Sequence, residues 1–207
     1  MAPFPRAELE EMVQRWLDAN RRCEQAGDWR PLAAMYTADA TYGWNMGPGE
    51  EFMVAGRDQI RDVALALEMG GLDGWSYPYQ RVLIDDVQGE VVGFWKQVAG
   101  AARPDGSPYE VAGIGGSWFR YGGDWQWEWQ RDFFDLGNVT ALFLEMIKAG
   151  ALSDGMQRRM GVGHGDLALA RYGEHRGGLH LAHRVALAQV EVGLDAHHAA
   201  ASAPRRR

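Results

Sequence analysis

The sequence predicts an α+β protein: a cone-like, curved mixed or antiparallel sheet with three N-terminal helices packed on it. Three observations lead there. Helix-spaced apolar residues dominate residues 6–69, four strand candidates follow between residues 75 and 134, and their connections are the short Gly-, Pro- and Asp-rich sequences that tight turns need.

Residues 6–26 carry Leu9, Met12, Val13, Trp16, Leu17 and Cys23 at helical spacing, and Gly27 supplies a left-handed stop. Asp28 is positioned to cap a short second helix that tolerates Pro31 in its first turn and turns Leu32, Met35 and Tyr36 inward. YTADATY (36–42) reads as a turn into a strand over 41–45, with Asp39 as a local cap, and residues 52–55 return as the partner strand. Ile60, Val63, Ala64 and Leu67 define the third helix, over 57–69. The four later strands are expected at 75–84, 90–98, 109–121 and 125–134. Gly113, Gly115 and Gly116 mark a bulge or sharp bend in the third of them, and a bent sheet covered by helices encloses an interior. A last helix is expected over 138–149, capped by Asn138 and stopped by Gly150.

The domain is therefore placed at 6–150, with 151–207 as a C-terminal extension, helical or disordered. Trp and Phe are absent from the extension, and its one amphipathic stretch is 179–194. His180 and His183 lie three apart there without a carboxylate at matching spacing, so no metal site is expected.

Composition removes several classes. A net charge of -7 argues against a nucleic-acid partner, whose phosphates are bound by clustered Lys and Arg. No apolar run approaches the roughly 20 residues of a membrane span, and the N-terminus has no signal-peptide pattern, so the expected address is cytoplasmic. The single cysteine, Cys23, sits on an apolar stripe and reads as a small buried hydrophobe. All six His fall at or beyond position 164, which leaves the domain to work with carboxylates, Tyr, Lys, Arg and amides. No cofactor is expected.

The stretch DWQWEWQRDFFDL (124–136) organises the rest. Trp125, Trp127 and Trp129 alternate with Gln126, Glu128 and Gln130, the period of a strand whose two faces differ. With Gln130 and Asp132 inward, the three Trp face outward, a large apolar patch expected to form a homodimer interface. Asp132 is the candidate catalytic acid.

YTADATY before the first strand, GRDQI at the start of the third helix and WQRDFFDL (129–136) resemble the nuclear transport factor two-like superfamily over roughly residues 8–147. That superfamily includes SnoaL-type cyclases, ketosteroid isomerases, scytalone dehydratases and limonene-1,2-epoxide hydrolases. The epoxide hydrolase likeness implies Asp132 as the catalytic aspartate and Tyr42 as a holder of the attacking water, with Asn45 matching the family's Asn if one residue is inserted. It also implies an Arg and a second Asp on the strand over 90–98, where this chain has Trp95 and Gln97. Shifting the register by one brings in Lys96 but turns it to the other face.

Epoxide opening needs an acid and a base of opposed protonation. The expected function is instead single-carboxyl proton transfer: a lyase, isomerase or cyclase acting on a bulky apolar molecule such as a steroid, terpene or polyketide. Asp132 and Tyr42 are the catalytic candidates, with Asn45, Gln97, Gln130, Trp44, Trp95 and Tyr36 binding substrate. The alternatives are a non-catalytic ligand-binding or accessory module, and an epoxide hydrolase rewired through Lys96 or Glu128.

Overall fold

The computed structural model describes residues 4–47 and 50–160. Helix α1 (Arg6–Ala26) ends at left-handed Gly27 and turns Leu9, Met12, Val13, Trp16 and Cys23 into the core. A 3₁₀ turn (Arg30–Met35) leads directly into strand β1 (Tyr36–Gly47), so YTADATY is strand rather than turn. Strand β2 (Glu50–Ala55) returns, and helix α2 opens at Arg57–Gln59 and widens into a π-helix over Ile60–Leu67.

The remaining strands are β3 (Tyr79–Asp85), β4 (Glu90–Trp95), β5 (Val98–Ala102), β6 (Pro108–Glu110), β7 (Gly115–Gly123) and β8 (Gln126–Phe133). Two expected strands are each broken in two. The stretch over 90–98 splits between β4 and β5, and that over 109–121 between β6 and β7, with left-handed Gly113 at the second break. The main sheet runs β2-β1-β8-β7-β4-β3, with β1 parallel to β8 and every other neighbour antiparallel. Strands β5 and β6 form a separate ribbon.

The principal core lies between the helices and one face of this sheet. There Trp16 of α1 packs edge-on against Phe119 and Trp127, with Tyr36, Ile60, Ala64, Val91 and Tyr121 around them. A second core joins Trp75, Ala99, Tyr109 and Val111 to helix α3 (Leu136–Ala149) and helix α4 (Asp154–Met160). Asp135 caps α3, accepting the Asn138 backbone N–H at 3.0 Å; Asn138 itself is not the cap. Leu152 and Met156 are buried in the second core, and Arg159 donates to the carbonyls of Glu68 and Gly70 at the end of α2. The packed structure thus runs past residue 150. The stretch 179–194 and all six His lie outside the described residues.

The tryptophans of 124–136 do not share a face. Tyr121 pairs with Trp127 and Arg120 with Trp129, so two residues of β8 oppose one step of β7. This β-bulge resets the alternation. Trp127 faces the helices with 0% of its surface exposed, while Trp129 turns to the opposite face beside Trp118. Trp125 belongs to neither face: with Asp124 it forms a two-residue hairpin loop, both residues at positive φ (50° and 59°), and Arg15 of α1 lies 4.0 Å above its ring. The expected outward trio is overturned, because one inserted residue moves Trp127 inward while leaving Gln130 and Asp132 inward too.

Candidate active site

Strand register delivers the polar groups of the helix-facing side of the sheet to one point. In the β1–β8 pair Tyr42 stands opposite Gln130 and Trp44 opposite Asp132, and in the β7–β8 pair Ser117 stands opposite Asp132. Cross-strand neighbours on one face lie close enough for short side chains to touch. The Tyr42 hydroxyl donates to Asp132 Oδ2 at 2.5 Å. Ser117 Oγ and Gln130 Nε2 donate to Oδ1 at 2.6 and 2.7 Å.

A second tier fixes these donors. The Tyr36 hydroxyl donates to Gln130 Oε1, and the Trp95 indole N–H donates to Ser117 Oγ at 2.9 Å. The Trp16 indole N–H donates to the Tyr79 hydroxyl at 2.9 Å, and that hydroxyl in turn contacts Ser117. Two glycines make room for the aromatic rings. A Cβ on Gly93 would stand 2.4 Å from the Tyr79 ring, and one on Gly115 would stand 2.2 Å from the Trp95 ring.

Burial raises the pKa of Asp132, and the bonds from Ser117, Tyr42 and Gln130 only partly offset it. Burial, and after it the charge of Asp132, pushes Tyr36 and Tyr42 well above the ordinary tyrosine value, so both stay protonated as donors. The residue Asp132 is half-buried, neither sealed nor open. A carboxyl so held is a proton donor and acceptor with its charge disfavoured and its geometry fixed.

Of the residues singled out from sequence, Asp132, Tyr42, Gln130 and Tyr36 form this network, and Trp95 joins it through Ser117. Trp44 lies at its edge, stacked on Phe52 at 4.2 Å and edge-on to Tyr42 at 5.5 Å. Asn45 pairs with Glu51 in the backbone ladder, and its side chain lies outside the described residues. Gln97 is not bonded to Asp132; it lies near Tyr77 and, with Trp95 and Phe134, lines a small cleft against residues 111–115. Lys96 pairs with Glu110 at 2.8 Å, and exposed Glu128 lies 3.8 Å from Arg120, so neither takes the role of a second catalytic group beside Asp132. Among the described residues no cluster of His, Cys, Asp and Glu suits a metal.

Ser117 carries no signal in the sequence. Ser117 sits in GGSWFR with nothing local to mark it, and only its pairing with Asp132 across the hairpin could have.

The chain is similar in structure to a protein described as a SnoaL-like polyketide cyclase from Jannaschia sp. CCS1, at 20% identity and TM-score 0.49, covering 66% of this chain and 91% of that one. An LEH-like epoxide hydrolase of M. tuberculosis matches at 18% identity and TM-score 0.49, covering 67% and 94%. An NTF2-like protein from Anabaena variabilis ATCC 29413 matches at 16% and 0.48, covering 65% and 95%. No family model and no curated protein matches. The architecture itself is α+β, a six-stranded mixed sheet with the helices packed on one face. The one parallel pair of that sheet, β1 with β8, is what carries Tyr42 to Asp132. No helix among the described residues is long and apolar enough to cross a membrane.

Proposed function

We propose that this protein is an acid–base enzyme in which Asp132 moves a proton to or from a neutral, largely apolar small molecule, using side chains alone. The observation that carries this reading is a half-buried carboxyl held by three neutral donors, with its charge disfavoured by burial. General acid–base catalysis is most effective when the catalytic pKa approaches the working pH, and desolvation moves a carboxyl in that direction. The aromatic surround of Trp44, Trp95 and Tyr42 suits a flat molecule such as a steroid, terpene or polyketide bearing an oxygen function.

Epoxide hydrolysis is less favoured. It requires a second carboxylate and a bridging cation, and Trp95, in the place that resemblance gives to the cation, spends its only donor on Ser117. A second reading, a ligand-holding module without chemistry, is favoured by one feature: every donor around Asp132 is already engaged within the protein.

Solvent-deuterium exchange into a panel of enones and hydroxyketones separates the two readings. Exchange by the wild type that falls by orders of magnitude in Asp132→Asn, with ligand affinity kept, is the expected result. Binding without exchange across the panel would support the module, and equal exchange by the variant would remove Asp132 from the chemistry.

We also propose a homodimer formed through the outer face of the sheet. Its support is now Trp118, Phe133 and Leu83, all exposed there, beside Trp129, with Arg120 and Glu90 supplying both charges.

A further inference from the structure

Counting donors and acceptors around Asp132 gives a direction to its proton. An indole N–H can only donate. Trp95 therefore fills one acceptor site of Ser117 Oγ, at 2.9 Å. Trp16 donates to the Tyr79 oxygen at 2.9 Å, and the Tyr79 hydroxyl lies beside Ser117. Ser117 is 3% exposed, and its own proton is directed to Asp132 Oδ1 at 2.6 Å. Gln130 is oriented in the same way: its Oε1 accepts from Tyr36, so its Nε2 faces Oδ1 at 2.7 Å. Oδ1 thus meets two donors, of which the Gln130 amide N–H cannot accept in return.

The Oδ2 side differs. Its one hydrogen-bond partner among the described residues is the Tyr42 hydroxyl at 2.5 Å, and a hydroxyl both donates and accepts. We infer that Asp132 takes up and releases its proton only at Oδ2, with Tyr42 as the outlet that passes it on, while Ser117, Trp95 and Gln130 are positioning residues. With Asp132 ionised, Tyr42 donates to Oδ2. With Asp132 neutral, the Oδ2 hydroxyl donates to the Tyr42 oxygen, and the Tyr42 proton is released to a hydrogen-bond acceptor on the ligand. The ligand group that fits this edge is a neutral oxygen, a carbonyl or its enol, and no bond beyond O–H is made or broken in the transfer.

The inference builds on the proposed function of the same carboxyl, but its test reads the carboxyl rather than turnover, so either can fail alone. The titratable groups facing Asp132 are Tyr36 and Tyr42 from β1, Tyr79 from β3 and Tyr77 just before it; Glu24 of α1 and Arg159 of α4 act on Tyr77 in turn.

The experiment is a ¹³C NMR titration of aspartate carboxyls in the full chain, with Asp132 assigned by its loss in Asp132→Asn. Ser117 and Gln130 bond the ionised carboxylate about twice as strongly as the neutral acid, whereas Tyr42 bonds both forms by reversing its role. Ser117→Ala is therefore expected to raise the midpoint by about one unit or more, and Tyr42→Phe to move it by much less. Trp95→Phe frees Ser117 to turn and should raise the midpoint part of the way, which keeps a readout if Ser117→Ala does not fold. A Tyr42→Phe shift equal to or larger than that of Ser117→Ala, or no shift in Ser117→Ala, would overturn the assignment.

Discussion

Replacing Asp132 by Asn should make the protein more stable at neutral and alkaline pH while abolishing its chemistry. The variant keeps the shape and the contacts: the amide oxygen takes the place of Oδ1 beneath Ser117 and Gln130, and the amide N–H faces the Tyr42 oxygen that lies 2.5 Å from Oδ2. What it removes is a charge whose burial is the largest cause acting on Asp132.

The sign follows from linkage. A carboxyl whose folded pKa is raised binds its proton more tightly in the folded state, so stability is lost as pH rises from the unfolded value, about 3.9, through the folded one. That loss is complete above both values and amounts to about 1.4 kcal/mol for every unit between them. The wild type should carry it at pH 8 and be free of it at pH 3.5; the variant should show neither. Urea denaturation followed by tryptophan fluorescence at a series of pH values measures the gap directly. A variant less stable than wild type at pH 8, or a gap that does not shrink as pH falls, would refute the reasoning.

Three further outcomes are expected. Trp127→Ala empties a fully buried site beside Trp16, Phe119 and Tyr121 and should cost about 3–5 kcal/mol by denaturant titration, while Trp129→Ala should leave the fold of a protomer nearly as stable as before. Arg159→Ala removes the donor to the Glu68 and Gly70 carbonyls and leaves buried Glu68, already raised in pKa by burial, without its guanidinium 3.3 Å away; a loss of about 1–3 kcal/mol is expected, largest above the Glu68 titration. Wild type should sediment as a dimer at micromolar concentration and Phe133→Glu as a monomer, since Phe133 is 43% exposed on the outer face; a monomeric wild type would contradict the dimer.

Much of the fold was legible because it rests on periodicity. The α1 stripe of Leu9, Met12, Val13, Trp16 and Cys23 is buried as its spacing requires, and Gly27 and Gly150 end their helices in the left-handed conformation. Tyr42 and Asp132, 90 residues apart and both singled out from sequence, are hydrogen-bonded to each other across the β1–β8 pair. What escaped turns on register. A single inserted residue in β8 is invisible to a period-two pattern, yet it decides where Trp127 points. Ser117 matters through the residue across from it, and Trp95 through an indole N–H that finds a hydroxyl 22 residues away. Asp135 displaced Asn138 as a cap because both are good capping residues and only the chain's path out of β8 chooses between them.

The most direct test of the site is the titration midpoint of the Asp132 carboxyl in the unmodified protein. It should lie clearly above the ordinary aspartate value of about 3.9. A midpoint at or below that value would mean that the three donors outweigh burial, leaving a carboxylate too weak a base to exchange protons near neutral pH.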